Sequence, residues 1–189
     1  MILTDKSILA QMEAGNIKIE PFDPKCLGTN SYDVHLGTHF AKYVSPVLDF
    51  RVHNKIQHTE VQMGDGIMLL PGELYLASTL EYTETLAHVP FLEGKSSVGR
   101  LGTNVHITAG KGDVGFCNYW TLEITAARPA VVYAGMPIGQ LIYFCVEGEI
   151  ENIYTQKANA KYNERDPKPK ESMMWKNFDG AGNGKIVVL

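Results

Sequence analysis

The sequence predicts a mainly β domain, antiparallel and either closed or sandwiched, with one short helix at its N-terminus. Three observations carry that class. Short runs rich in β-branched and aromatic residues recur along the chain, Gly, Pro, Asn and Asp punctuate them at short intervals, and apolar residues at helical spacing occur only before position 15. A length of 189 residues suits one domain that buries a sizeable core.

The elements follow in order. TDKSILAQMEA (4–14) opens on Thr4 as a cap and places Ile8, Leu9 and Met12 at helical spacing, so a short amphipathic helix ends near Gly15. NIKIEPF alternates as a short strand, and the turn residues Asp23, Pro24 and Gly28 lead to a second strand holding Tyr32, Val34 and Leu36. Asp33 in that strand reads as an acid on a solvated face or one that ties down a turn. From Phe40 to His58 the pattern is weaker, broken by Pro46, and reads as a strand and a surface loop. GIMLLPGELYLASTLEYTETL sets a Pro-Gly turn between two β-rich runs, TNVHITA and YWTLEITA read as strands, and PAVVYAGMPIGQLIYFCV adds two more around Gly135 and Pro137. The composition shifts after Ile150, which divides the chain into a β domain (1–150) and a mostly irregular tail (151–189). Tyr154, Tyr162 and Trp175 are costly to leave bare, so the tail is expected to dock on the body or on another subunit. The terminal IVVL is apolar enough to add a strand or to dock on a neighbour.

A net charge of -4 offers no basic stripe for a nucleic-acid backbone, so a nucleotide partner would be a small one. Cys26, Cys117 and Cys145 lie far apart without a C-x-x-C pair, which argues against a disulfide framework and a cysteine-rich zinc site and fits a reducing cytoplasm. The N-terminus lacks a signal-peptide pattern and no later run approaches ~20 apolar residues, so a soluble cytoplasmic protein without a membrane partner is expected. His53, His58 and His88 have no ligand-like neighbours, and His35 and His39, four apart in an extended region, point to opposite ends of a strand face rather than to one metal, so no resident metal is expected.

Polar, charged and glycine residues concentrate in Glu93 to Glu123, EGKSSVGRLGTNVHITAGKGDVGFCNYWTLE. Its first part, GKSSVGRLG, joins permissive glycines to two hydroxyls and two cations, which suits an oxyanion such as phosphate. SSVGRLG is expected to begin a helical turn whose N–H groups meet the anion, with Ser96 and Ser97 as further donors. At the other end, WTLEI places Glu123 beside Trp120, Leu122 and Ile124, surroundings that raise a carboxyl pKa toward the range useful for moving protons.

Through GKSSVGRLG, TAGKGDVGF and TLEI the chain resembles the dCTP deaminase family of the dUTPase-like superfamily. MILTDKSI, IEPFD and GTNSYDVHLG resemble its N-terminal block, LLPGELYLASTLE its central hairpin and GMPIGQLIYF its closing strand pair, so the resemblance spans about residues 1 to 165 in order. It implies a distorted β-barrel or jelly-roll-like fold of the dUTPase type, a homotrimer whose active sites are shared between subunits, and a tail that closes as a lid. It further implies zinc-independent hydrolytic deamination of dCTP to dUTP and ammonia for dUMP and dTTP supply, Mg²⁺ entering with the triphosphate, and dTTP as an inhibitor. The H-x-E…P-C-x-x-C signature of zinc deaminases is absent, so water activation would fall to side chains.

Position by position, the resemblance makes Glu123 the general base and acid, sets Ser96 and Arg100 beside the reacting base and phosphates, and gives the Ala109 backbone a part in holding the water. Asp113 falls near the deoxyribose 3′-hydroxyl, while Thr121 and Leu122 offer strand backbone to the cytosine edge. Ser97 caps the helical turn or binds nucleotide, or both. Tyr154 and Lys161 cover the base and triphosphate when the tail closes. Lys95 stands where an arginine is expected, keeping the charge and losing the bidentate fork, and Arg165 stands where a nucleotide-binding glutamine is expected.

Four functions compete. A deaminase releasing dUTP leads; the alternative is a bifunctional deaminase and diphosphatase giving dUMP and pyrophosphate, which Gly110 in the TAG triplet favours. A plain dUTPase is disfavoured because that family's glycine-rich C-terminal motif is missing. A non-catalytic nucleotide-binding regulator on the same fold is opposed by the joint presence of Ser96, Arg100 and Glu123.

Overall fold

The computed structural model describes residues 1–178 and 187. The single long helix, α1 (Asp5–Glu13), is capped by Thr4, whose hydroxyl accepts from the Ser7 N–H, and it buries Ile8 completely. Strands then dominate: β1 (Ile17–Glu20), β2 (Tyr32–Tyr43), β3 (Ile56–Glu60), β4 (Gly66–Leu69), β5 (Tyr75–Thr85), β6 (His88–Gly94), β7 (Thr103–Asn104), β8 (Cys117–Ala126), β9 (Ala130–Tyr133) and β10 (Pro137–Cys145), with a one-turn helix α2 (Ser96–Gly99) between β6 and β7.

All the pairings are antiparallel. The main sheet runs β6-β10-β2-β5-β8-β7, with β1 added to β5 and β3 to β2, and β4 and β9 form a separate two-stranded ribbon. The long strand β2 serves three partners in succession: its start pairs β10, its middle β5 and its end β3, with irregularities near Leu36–Phe40 where it changes sides. This barrel-like wrapping encloses Tyr32, Val34, Leu36, Leu92, Leu122, Ile124, Ile138, Leu141 and Tyr143, all nearly inaccessible.

Several strand expectations need correction. The Pro71-Gly72 turn joins β4 to β5, yet these strands do not pair, so LLPGELYLASTLE is no hairpin; β4 finds β9 and β5 lies between β2 and β8. GMPIGQLIYF is likewise not a strand pair, because it forms the Gly135 turn and the single strand β10. TNVHITA contributes only Thr103 and Asn104 as strand. Beyond them regular pairing ends, although Val105 and Ile107 still bond to Glu123 of β8, and the irregular chain then reaches the sheet edge at β6 through Leu92 N to Gly110 O and Gly112 N to Pro90 O.

Asp33 is half-buried rather than free on a solvated face, and it ties no turn: its carboxylate receives Lys95 Nζ at 2.5 Å, linking β2 to the segment before α2. Two positions along β2, His35 gives its backbone N–H to Glu81 Oε2 at 2.9 Å and sets its ring Nδ1 2.6 Å from Oε1, which satisfies a carboxyl group that is only 1 % exposed. The three cysteines are unbridged. Among the described residues no helix is long and apolar enough to cross a membrane.

Candidate active site

Strand β8 organises the site because its alternation is strict. Asn118, Trp120, Leu122 and Ile124 are buried, whereas Tyr119, Thr121 and Glu123 share the opposite, half-buried face. That face floors a cleft of about 530 Å³, closed on one side by Ala109, Gly112 and Asp113 and on the other by tail residues including Tyr154, Tyr162 and Lys170.

Two neighbours hold the Glu123 carboxylate. Ile107 N–H donates to Oε2 at 3.1 Å, and His106 Nδ1 stands 3.6 Å from the same oxygen. Burial pushes this carboxyl up, but the His106 ring and the Ile107 N–H outweigh it and hold it below the usual carboxylate range. The expected rise therefore does not occur. Leu122 and Ile124, two of the neighbours that suggested it, point into the core on the far side of the strand.

The tail is laced over the cleft by backbone N–H groups that find side-chain acceptors. Tyr154 OH accepts from Tyr162 N, Tyr162 OH from Met173 N, and Tyr43 OH from Ser172 N. Asn118 clips the middle, its amide donating to the carbonyls of Tyr162 and Glu164 and its oxygen accepting from Asp166 N. Tyr154 begins a short turn (Tyr154–Gln156) that sits against Gly115, where a Cβ would lie 2.7 Å from Ile153 Cβ; with φ at 89°, that position suits only glycine.

Two tail acids respond to pH. Burial raises Asp166 and Glu171, but Lys170 beside the first and His53 beside the second hold both carboxyls below their usual values. A depressed folded pKa contributes stability above the unfolded value, roughly 4, and loses it as pH falls through the folded one. The tail should therefore loosen below about pH 4 while the barrel persists, measured as earlier loss of amide protection at Lys170 and Met173 than at Leu122.

A model for dCTP deaminase-like domains matches residues 2–146, more than half of the chain. The chain belongs to the dCTP deaminase-like family. This dCTP deaminase-like chain is 44 % identical over 179 residues to a Leptospira biflexa protein named "dCTP deaminase, dUMP-forming", covering 95 % of this chain and 99 % of that one. A Clostridium beijerinckii protein of the same name is 42 % identical over 180 residues, covering 95 % and 99 %. Among solved structures, 2'-deoxycytidine 5'-triphosphate deaminase from Agrobacterium tumefaciens superposes with a TM-score of 0.59 at 23 % identity. The match covers 75 % of this chain and 47 % of that chain, so this chain spans about half the length of that protein. The fold is thus mainly β and shared with that deaminase.

Within this dCTP deaminase-like fold the candidate residues separate into groups. Ala109, Asp113, Thr121, Glu123 and Tyr154 line the cleft together. Lys95 and Ser96 line a second cleft of about 280 Å³, bordered by Glu93, Asn104 and His106. Ser97, Arg100, Leu122, Lys161 and Arg165 line neither. Ser97 is exposed inside α2 and does not cap it, since the capping position is Lys95 and carries no side-chain cap bond. Leu122 is core, Lys161 Nζ donates to Asn177 Oδ1 at 2.7 Å, and the Arg165 guanidinium lies 3.8 Å over the Tyr82 ring and pairs with Glu20.

Lys111, Tyr119, Tyr162, Lys168 and Lys170 line the cleft, and His106 touches Glu123, without having been singled out as site residues. Period-2 alternation from Glu123 would have found Tyr119. Lys111, Lys168 and Lys170 come from irregular segments, where no periodicity points to a face.

Proposed function

We propose that this protein deaminates dCTP hydrolytically and carries the product on to dUMP and pyrophosphate. The observation that carries the reading is the cleft itself: in a dCTP deaminase-like chain, the Glu123 carboxylate and Thr121 stand at its floor with Asp113 and Ala109 on the adjoining wall. The names of the relatives at 42–44 % identity, "dCTP deaminase, dUMP-forming", favour dUMP over the release of dUTP.

In this mechanism Glu123 takes a proton from water as its oxygen attacks C4 of cytosine, and passes that proton to the ring nitrogen N3. A second proton then follows the same route to the exocyclic amino group. The C4–N bond breaks with its electron pair going to nitrogen, and ammonia leaves a uracil ring. The Ala109 carbonyl orients the water, Asp113 accepts from the 3′-hydroxyl, and Thr121 meets the base edge. Tyr154 and Lys161, carried on the tail, close over base and triphosphate.

Ser96 and Arg100 enter this scheme from a neighbouring chain, because Lys95 and Ser96 border a cleft other than that of Glu123 and Arg100 borders neither. A homotrimer with shared sites accommodates that division. Mg²⁺ is assigned to the triphosphate, where it would neutralise phosphate charge; among the described residues no three His, Cys, Asp or Glu side chains converge on a metal-sized site. dTTP, built on the same deoxyribose and triphosphate, is expected to compete.

Gly110 bears on the product. A Cβ there would lie 2.4 Å from the Leu92 carbonyl oxygen and 3.3 Å from the Phe91 ring, both part of β6, so the loop holding Ala109 must shift to admit any side chain. Gly110→Ala should cost about 1–3 kcal/mol of stability by denaturant unfolding. It should also raise the yield of ammonia relative to pyrophosphate, as the water-holding loop moves.

Incubation of the purified protein with dCTP and Mg²⁺, and separately with dUTP and Mg²⁺, followed by separation of products, tests the proposal. Ammonia with dUMP and pyrophosphate is expected. Ammonia with dUTP would restore the simpler deaminase, turnover of dUTP alone would indicate a dUTPase, and tight nucleotide binding without turnover a regulator.

A further inference from the structure

We propose that His106 is a positioning residue for Glu123, holding the carboxylate in place and driving its proton onward to the substrate. The inference rests on the reading of Glu123 as general base.

The geometry sets the pair apart from its surroundings. His106 immediately precedes Ile107, whose N–H already grips Glu123 Oε2, so backbone and ring approach one oxygen from adjacent residues. The His106 side chain is only 11 % exposed, and neither ring nitrogen has a hydrogen-bond partner. A buried imidazole left unmatched is costly, whereas a movement of about half an ångström would bring Nδ1 into hydrogen-bond range of Oε2.

His106 also borders the second cleft, alongside Lys95 and Ser96, so it stands between the proposed phosphate segment and the general base. The ionisable groups around the pair are already matched or more distant. On the main-cleft side Lys111 pairs with Asp113, Lys170 with Asp166 and Glu171 with His53, and Lys168 is exposed. On the other side Lys95 pairs with Asp33, and Glu93 is exposed. Among the described residues only His106 comes within ion-pair distance of Glu123.

The chemical role follows from the order of proton transfers. A protonated imidazole beside Oε2 favours the carboxylate and disfavours the carboxylic acid, so a proton taken from water is held weakly and passes quickly to N3 or to the leaving amine. The hydrogen bond from Ile107 fixes the orientation and the imidazole supplies the charge. No proton is consumed: each one that Glu123 receives from water is given to substrate.

The test is the pH dependence of kcat for ammonia release in the wild type, His106→Gln and His106→Asn, with nucleotide binding measured alongside. Both variants should lose about tenfold or more in kcat near neutral pH, with KM changed far less, and their acid limb should move to higher pH as Glu123 loses its cationic neighbour. A uniform fall in kcat with an unmoved limb would overturn the proposal and leave His106 a packing residue. Nitrogen-15 NMR of the His106 ring in the wild type decides the matter even where a variant fails to fold. Nδ1 should carry the signature of a hydrogen bond to the Glu123 carboxylate, and an Nδ1 without one would refute the pairing. If the wild type makes no ammonia from dCTP, the functional reading fails, while the ring NMR still judges the pair.

Discussion

Glu123→Gln should fold, bind dCTP with affinity close to that of the wild type, and release ammonia about a thousandfold more slowly. Glutamine keeps the shape of the side chain and offers an oxygen to the Ile107 N–H, so the loop at 105–107 should stay on β8, where Glu123 N–H also donates to the Val105 carbonyl. What it loses is the ability to accept a proton from water, and among the described residues the other carboxylates of the cleft are engaged: Asp113 by Lys111 at 2.6 Å, Asp166 by Lys170 and Glu171 by His53. Steady-state ammonia release with isothermal titration of dCTP separates the two effects. Near-normal turnover would remove Glu123 from the chemistry, and lost binding would make its role structural.

The second large effect concerns how the site is assembled. Arg100→Ala should lower turnover by roughly thirtyfold, the equivalent of about 2 kcal/mol for hydrogen bonds to a charged phosphate. Arg100 is exposed and lines neither cleft, so among the described residues of one chain no contact connects it to Glu123. If a neighbouring chain supplies it, mixing Glu123→Gln with Arg100→Ala subunits under conditions that allow exchange creates sites with both residues intact. In equal mixtures of a trimer roughly a quarter of the sites should be so restored, and activity should rise well above either variant alone. Mixtures no more active than the better variant would place both residues in one chain's site.

The legible parts of the fold were those set by local pattern. Thr4 and the Ile8 spacing fixed α1, and the alternation of CNYWTLEITA fixed both β8 and the face on which Glu123 lies. Pairing was not legible, because a turn such as Pro71-Gly72 says where a chain reverses and not which strand it will join. β4 pairs with β9, more than sixty positions away along the chain, and β2 changes partners where its register slips. VHITA alternates like a strand, yet its regular pairing ends at Asn104: the Val105 carbonyl still accepts from the Glu123 backbone N–H, whereas the Ile107 N–H turns to the Glu123 side chain.

The site shows the same division. Ala109, Asp113, Thr121, Glu123 and Tyr154, placed by resemblance, do converge on one cleft. The charge state of Glu123 could not be read, because its neighbours in sequence point the other way and the groups that set it, His106 and Ile107, lie seventeen and sixteen residues earlier. Arg165 also illustrates the limit: its position suggested nucleotide, but its guanidinium stacks on Tyr82 and pairs with Glu20.

The most direct test of the central claim, that one protein takes dCTP through to dUMP, is the ratio of ammonia to pyrophosphate in the first turnovers, with an excess of unlabelled dUTP present as a trap. The account predicts equal amounts of the two from labelled dCTP, with label appearing in dUMP despite the trap. Labelled dUTP accumulating with ammonia, and no matching pyrophosphate, would contradict it.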